Sequence, residues 1–96
     1  MIIVSITYIV PFEQVEPHLD AHMAWIDKGY EAGMFLASGR KVPRTGGVIL
    51  ARGERDEVER VAMTDPFVLE GVASIEVTEV GFMRSAAGFE ALLDKS

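Results

Sequence analysis

The chain contains no cysteine. Disulfide stapling, thiol catalysis and cysteine-ligated zinc are therefore excluded, and a reducing compartment is the natural setting. Basic residues are few, nine Lys and Arg against fifteen Asp and Glu in 96 residues, for a net charge of -6. A nucleic-acid binder needs clustered cations to displace counterions, and no aromatic-basic interleave is present, so that class falls away. Long hydrophobic runs are missing too. The apolar stretch MIIVSITYIV (1–10) is too short to span a bilayer and lacks the basic leader and small-residue cleavage site of a signal peptide. The expectation is a soluble cytoplasmic protein with neither a nucleic-acid nor a membrane partner. Nor is there a phosphate-binding glycine loop, a nucleophile elbow or a serine-triad motif.

What is present suffices for a core: 49% of the residues are hydrophobic. The length predicts one domain over 1–96, with a core over 1–83 and a C-terminal tail over 84–96. Residues 2–10 are rich in Ile, Val, Thr and Tyr and read as a buried strand closed by Pro11. Val15, Leu19, Met23, Ile26 and Tyr30 then recur at helical spacing, with Pro17 in the first turn and Gly33 as the stop. A short strand over 34–37 runs into a Ser38-Gly39 corner. A loop over 40–47 and a strand over 48–51 follow. The second helix opens near Arg55-Asp56, with acidic residues where the helix dipole favours them, and stops by Asp65 because Pro66 disfavours helical angles before it. In the last strand Ala73, Ile75 and Val77 alternate with polar neighbours. A short helix over 85–96 would put Phe89, Leu92 and Leu93 on one side.

This order is β-α-β-β-α-β plus a tail, an α+β fold of the ferredoxin-like split β-α-β type. Two helices cover one face of a four-stranded sheet. In so small a domain the other face is most simply covered by a second copy, which predicts a homodimer with C2 symmetry.

Few residues could carry chemistry. On a regular helix the apolar stripe spans roughly 80°, and His22 falls about 20° outside it. It reads either as a proton carrier at a cleft edge or as a boundary histidine bonded to backbone. His18 and His22 share a helix face, but no third ligand is indicated, so no metal site is predicted. Asp65 opens an Asp-Pro turn, and local spacing ties it to no partner. Ser38 and Gly39 could offer a hydroxyl and a backbone amide to a ligand, or form a simple turn. Arg40, Lys41 and Arg44 are a basic cluster that could steer an anion, or be solvated surface.

Three blocks, AHMAWIDKGYEAGMFLASG (21–39), GGVILA (46–51) and DPFVLEGVA (65–73), make the chain resemble the YciI-like (YCII-related) family from its first strand to Phe82. The resemblance implies a ferredoxin-like dimer of the dimeric α+β barrel type. It also implies a site built on a first-helix histidine, here His22, and the aspartate of the Asp-Pro-aromatic block, here Asp65. Ser38 and Gly39 match the family's pocket-lining turn. One branch of the family is similar to enzymes that dehydrochlorinate hydroxylated aromatics. The expected function is acid/base catalysis, of lyase, isomerase or hydrolase type, on a small cyclic or aromatic molecule without cofactor. His22 and Asp65 are the expected catalytic pair, with Ser38, Gly39, Trp25, Tyr8 and Arg44 against the substrate. The alternative is a non-catalytic dimeric module for small-molecule binding or assembly.

Overall fold

The computed structural model describes residues 1–94. Its centre is β1 (Ile2–Tyr8), in which Ile2, Val4 and Ile6 are buried on one face. Antiparallel partners flank it on both sides: β3 (Gly46–Ala51) and β4 (Ala73–Glu79). The strand β2 (Phe35–Arg40) pairs antiparallel with β3 at the edge, giving the order β2-β3-β1-β4. Residues paired across strands share a face. Ile49 and Val77 therefore stand beside Val4, and Ala51 stands beside Ile2. This apolar face is covered by α2 (Leu19–Glu31) and α3 (Arg55–Ala62), which bury Ile26, Val58 and Ala62 against it. The expected β-α-β-β-α-β order is the observed one.

The first helical segment is broken. A single turn, α1 (Phe12–Val15), passes into a 3-10 turn over Glu16–His18 before α2 begins. Pro17 sits early in that 3-10 turn, where its missing N–H is not needed. α2 ends in a Schellman arrangement: Met34 N–H bonds to Gly29 C=O and Gly33 N–H to Tyr30 C=O. Gly33 supplies the left-handed residue at φ 73°.

Four expectations are corrected. The buried face of α2 is Leu19, His22, Ile26 and Gly29, whereas Met23 and Tyr30 are 53% and 40% exposed. The stripe is rotated by about 40° from the apolar pattern. The cause is Gly29, against which Phe35 packs so closely that a Cβ there would lie 2.1 Å from the ring. His22 is therefore inside the packed face. Ser38-Gly39 is not a corner, because β2 continues to Arg40 and pairs Ser38 with Ile49 and Gly39 with Val48. A bulge between Phe35 and Ala37 sets that register. A further helical turn, α4 (Pro66–Leu69), carries Phe67 into the core. In the tail the expected helix is reduced to a 3-10 turn over Glu90–Leu92, and Phe89 is 58% exposed. Lys95 and Ser96, at the end of that expected tail helix, lie outside the described residues.

Candidate active site

Asp65 is placed by local backbone chemistry. After α3 ends, Asp65 caps α4 with Pro66 in the first turn, and its Oδ1 accepts the Phe67 N–H at 3.0 Å. This turn is bracketed to α2 by Trp25, whose indole N–H donates to Thr64 Oγ1 at 3.0 Å, while the Thr64 hydroxyl donates to Val61 C=O. The result is a fully buried carboxylate facing the middle of α2.

His22 meets it there. Its Nδ1–H donates to the same Oδ1 at 2.8 Å, across 43 residues of sequence. Because a carboxylate only accepts, this contact fixes the proton on Nδ1 in the neutral ring and leaves Nε2 unprotonated. Asp65 Oδ2 is buried without a hydrogen-bond partner. The imidazole is also clamped by its faces: the Phe67 ring stacks on it at 4.0 Å and 6°, and Trp25 lies at 5.9 Å and 29°. Phe67 thus holds the carboxylate with its amide and the imidazole with its ring.

His22 lines a cavity of about 460 Å³ between α2 and the β2–β3–β1 end of the sheet. Tyr8, Ser38, Gly39 and Arg44 line it as well. Trp25 does not: its N–H is engaged by Thr64, and its ring meets Phe35 edge-on at 5.2 Å. Asp65 lies beneath the imidazole and away from the cavity wall. The Ser38 hydroxyl bonds the Tyr30 hydroxyl at 2.7 Å and retains capacity for a second partner. Among the described residues no three His, Cys, Asp or Glu side chains gather into a metal-binding cluster.

Sequence pattern alone assigns Phe67 to the core and gives Tyr30 no part in the site. It leaves Arg40 in a basic cluster that could steer an anion or be solvated surface and does not put it against the substrate, although Arg40 lines the cavity. The signal for Arg40 is strand alternation, since residues two apart project from the same face. Ending the strand at Ser38 hides it. Arg44 is positioned differently, with its guanidinium carbon 4.3 Å above the Phe12 ring.

The arrangement can take a proton from a bound molecule and return it. A histidine lines a largely apolar chamber, and a buried carboxylate fixes its tautomer and would stabilise an imidazolium if one formed.

The family model of the YCII-related domain matches residues 1–81. No curated protein sequence matches the chain. Among solved structures the fold is similar to 5-chloro-2-hydroxyhydroquinone dehydrochlorinase (TftG) from Burkholderia phenoliruptrix AC1100, in complex with 2,5-dihydroxybenzoquinone. The TM-score is 0.68 at 17% identity, over 83% of this chain and 93% of that one.

Proposed function

The chain belongs to the YCII-related domain family, and from that premise we propose a small cytoplasmic, homodimeric enzyme that transfers protons on a hydroxylated cyclic or aromatic molecule. The observation that carries this reading is the 2.8 Å contact between a buried Asp65 and Nδ1 of His22, a residue that lines the cavity. His22 Nε2 removes a proton from a carbon or hydroxyl of the substrate, and the pair of electrons left behind moves onto a substrate oxygen. Asp65 stabilises the imidazolium for the lifetime of that anion. The proton then returns to another atom in an isomerisation; in an elimination the anion expels a leaving group with its bonding electron pair, and His22 gives the proton to that group or to solvent. Ser38 and the Gly39 backbone contact a substrate oxygen, and Tyr8 and Arg44 complete the wall. This proton transfer requires no cofactor.

The dehydrochlorinase of similar fold acts on a hydroxylated ring, which supports that substrate class. Its ligand is also a usable probe, because the ring protons of 2,5-dihydroxybenzoquinone exchange with solvent through tautomers. Proton NMR in deuterium oxide is expected to show exchange accelerated by the wild type and not by His22→Asn. The alternative, a non-catalytic binding module, is favoured if the probe binds equally to both and neither accelerates exchange. That result would end the catalytic reading for this class of ring.

A further inference from the structure

We propose that the cavity selects an anionic substrate, one whose planar oxyanion sits at the end of the chamber remote from His22 and is recognised by Arg44 and Arg40. The inference rests on the cavity being the substrate site and adds the charge of the substrate. The chain as a whole is acidic, at -6, yet the ionisable side chains on the cavity wall are His22, Arg40, Arg44 and Tyr8, with no Asp or Glu among them. Neither arginine has an acidic partner among the described residues, where the close contact of an acid with a basic side chain is His22–Asp65. Two uncompensated guanidinium groups beside an apolar wall raise the local potential far more than distant surface carboxylates lower it, because those are screened beyond about 8–10 Å.

The second observation is how Arg44 is held. Its guanidinium lies 4.3 Å over the face of Phe12. Phe12 meets Tyr8 at 6.1 Å, Tyr8 meets Phe67 at 5.8 Å, and Phe67 stacks on His22 at 4.0 Å. A row of three rings therefore separates the cation from the imidazole along one side of the site. Stacking occupies the face of the guanidinium and leaves its edge donors free, the geometry that pairs with carboxylates and ionised phenols or enols. Arg40 adds a second cation from β2, on the same sheet face as Ser38. The remote charge would orient the ring, so that a fixed carbon or hydroxyl reaches Nε2.

Two matched probe pairs test this by NMR-monitored titration at low salt. Salicylate against salicylamide reads a carboxylate, and 2,4-dinitrophenolate against 2,4-dinitroanisole reads an ionised phenol. At least one anion is expected to bind tenfold or more tightly than its neutral counterpart. That preference should shrink severalfold in Arg44→Gln, vanish in the double variant with Arg40→Gln, and weaken in the wild type as salt is raised. Equal affinities in both pairs, or a preference that survives the double variant, would overturn the inference. The salt series needs only the wild type, so it decides the point even if a variant folds poorly. His22→Asn separates the two claims. An anion preference intact in His22→Asn, with no His22-dependent proton exchange in the wild type, upholds this inference and sinks the acid/base reading. Exchange without anion preference does the reverse.

Discussion

At the scale of single residues, His22 and Asp65 are not symmetrical, and their substitutions separate chemistry from stability. An asparagine side chain at position 22 places its amide N–H near the former Nδ1, so His22→Asn keeps the bond to Asp65 while removing Nε2. The variant loses the stack on Phe67 but strands no buried carboxylate. We expect it to fold, to be more stable than His22→Ala in thermal unfolding, and to lose roughly 10²- to 10⁴-fold in proton-exchange rate, the range for a general acid or base. If the rate is unchanged, His22 is not the base. Asp65 also caps α4 and anchors the Phe67 amide, so Asp65→Ala removes a cap and leaves two donors unanswered. A loss of about 2–4 kcal/mol is expected from the cap and the orphaned donors together. Asp65→Asn retains an Oδ1 for both donors and exchanges the unpartnered Oδ2 for an unpartnered amide nitrogen. Its stability should stay within about 1 kcal/mol of wild type, by chemical denaturation, while the exchange rate falls. Comparable losses of stability in the Ala and Asn variants would mean that the charge itself holds the fold. That result would support the structural reading of the pair.

At the scale of elements, local patterns reported the strands and helices well, and tertiary contacts decided what they missed. β-branched and aromatic richness located β1, apolar alternation located β4, and the proline and glycine positions bounded α2 and the end of α3. The orientation of α2 was not legible, because its buried face is set by Gly29 accepting the Phe35 ring and not by its apolar residues. Met23 and Tyr30 look like core in sequence and are exposed in the fold. Gly39 likewise looks like a break, yet it lies in a paired edge strand where the ladder of β3 holds it extended. The His22–Asp65 contact had no local signal at all, since nothing within either segment encodes a partner 43 residues away. Only the resemblance of the three sequence blocks to a known family suggested it.

Gly29 makes this conflict measurable. In an unencumbered helix Gly→Ala would stabilise by about 1 kcal/mol. Here the new methyl would lie 2.1 Å from Phe35 Cδ2 and Cε2 and 2.6 Å from Cγ, and Phe35 is itself buried. Overpacking typically costs about 1–3 kcal/mol, so packing wins over propensity. Gly29→Ala is expected to lower the unfolding midpoint and, by shifting α2 off the sheet, to weaken probe binding in the cavity. A stabilised variant would show that Phe35 can move aside.

At the scale of the whole molecule, the sheet has a second face that α2 and α3 do not touch. Ile3, Ser5 and Thr7 of β1 point to it, with Leu50 opposite Ile3 and Val48 opposite Ser5. On the other side Thr78, Glu76 and Ser74 of β4 complete it. Ile3, Val48 and Leu50 form an apolar cluster on it, bordered by Ser5 and Thr7 of β1 and by the polar β4 margin, a candidate association surface with a solvated rim. A chain of 96 residues gains core by pairing such faces, and a stable pair needs roughly 1,200–2,000 Å² of total buried area. Among the described residues no helix is long and apolar enough to cross a membrane. Leu50 is the useful probe, because it sits centrally on the uncovered face and its side chain is directed away from the core under α2. The wild type is expected to run at twice its 10.5 kDa mass in light scattering coupled to size exclusion. Leu50→Asp, which puts two desolvated carboxylates against each other in a symmetric pair, is expected to run as a monomer with an unchanged far-ultraviolet spectrum. A wild type that is monomeric at high micromolar concentration would remove the dimer altogether. A Leu50→Asp dimer would move the interface elsewhere, and the exposed Met83, after β4, and Phe89 of the tail would be the next residues to substitute.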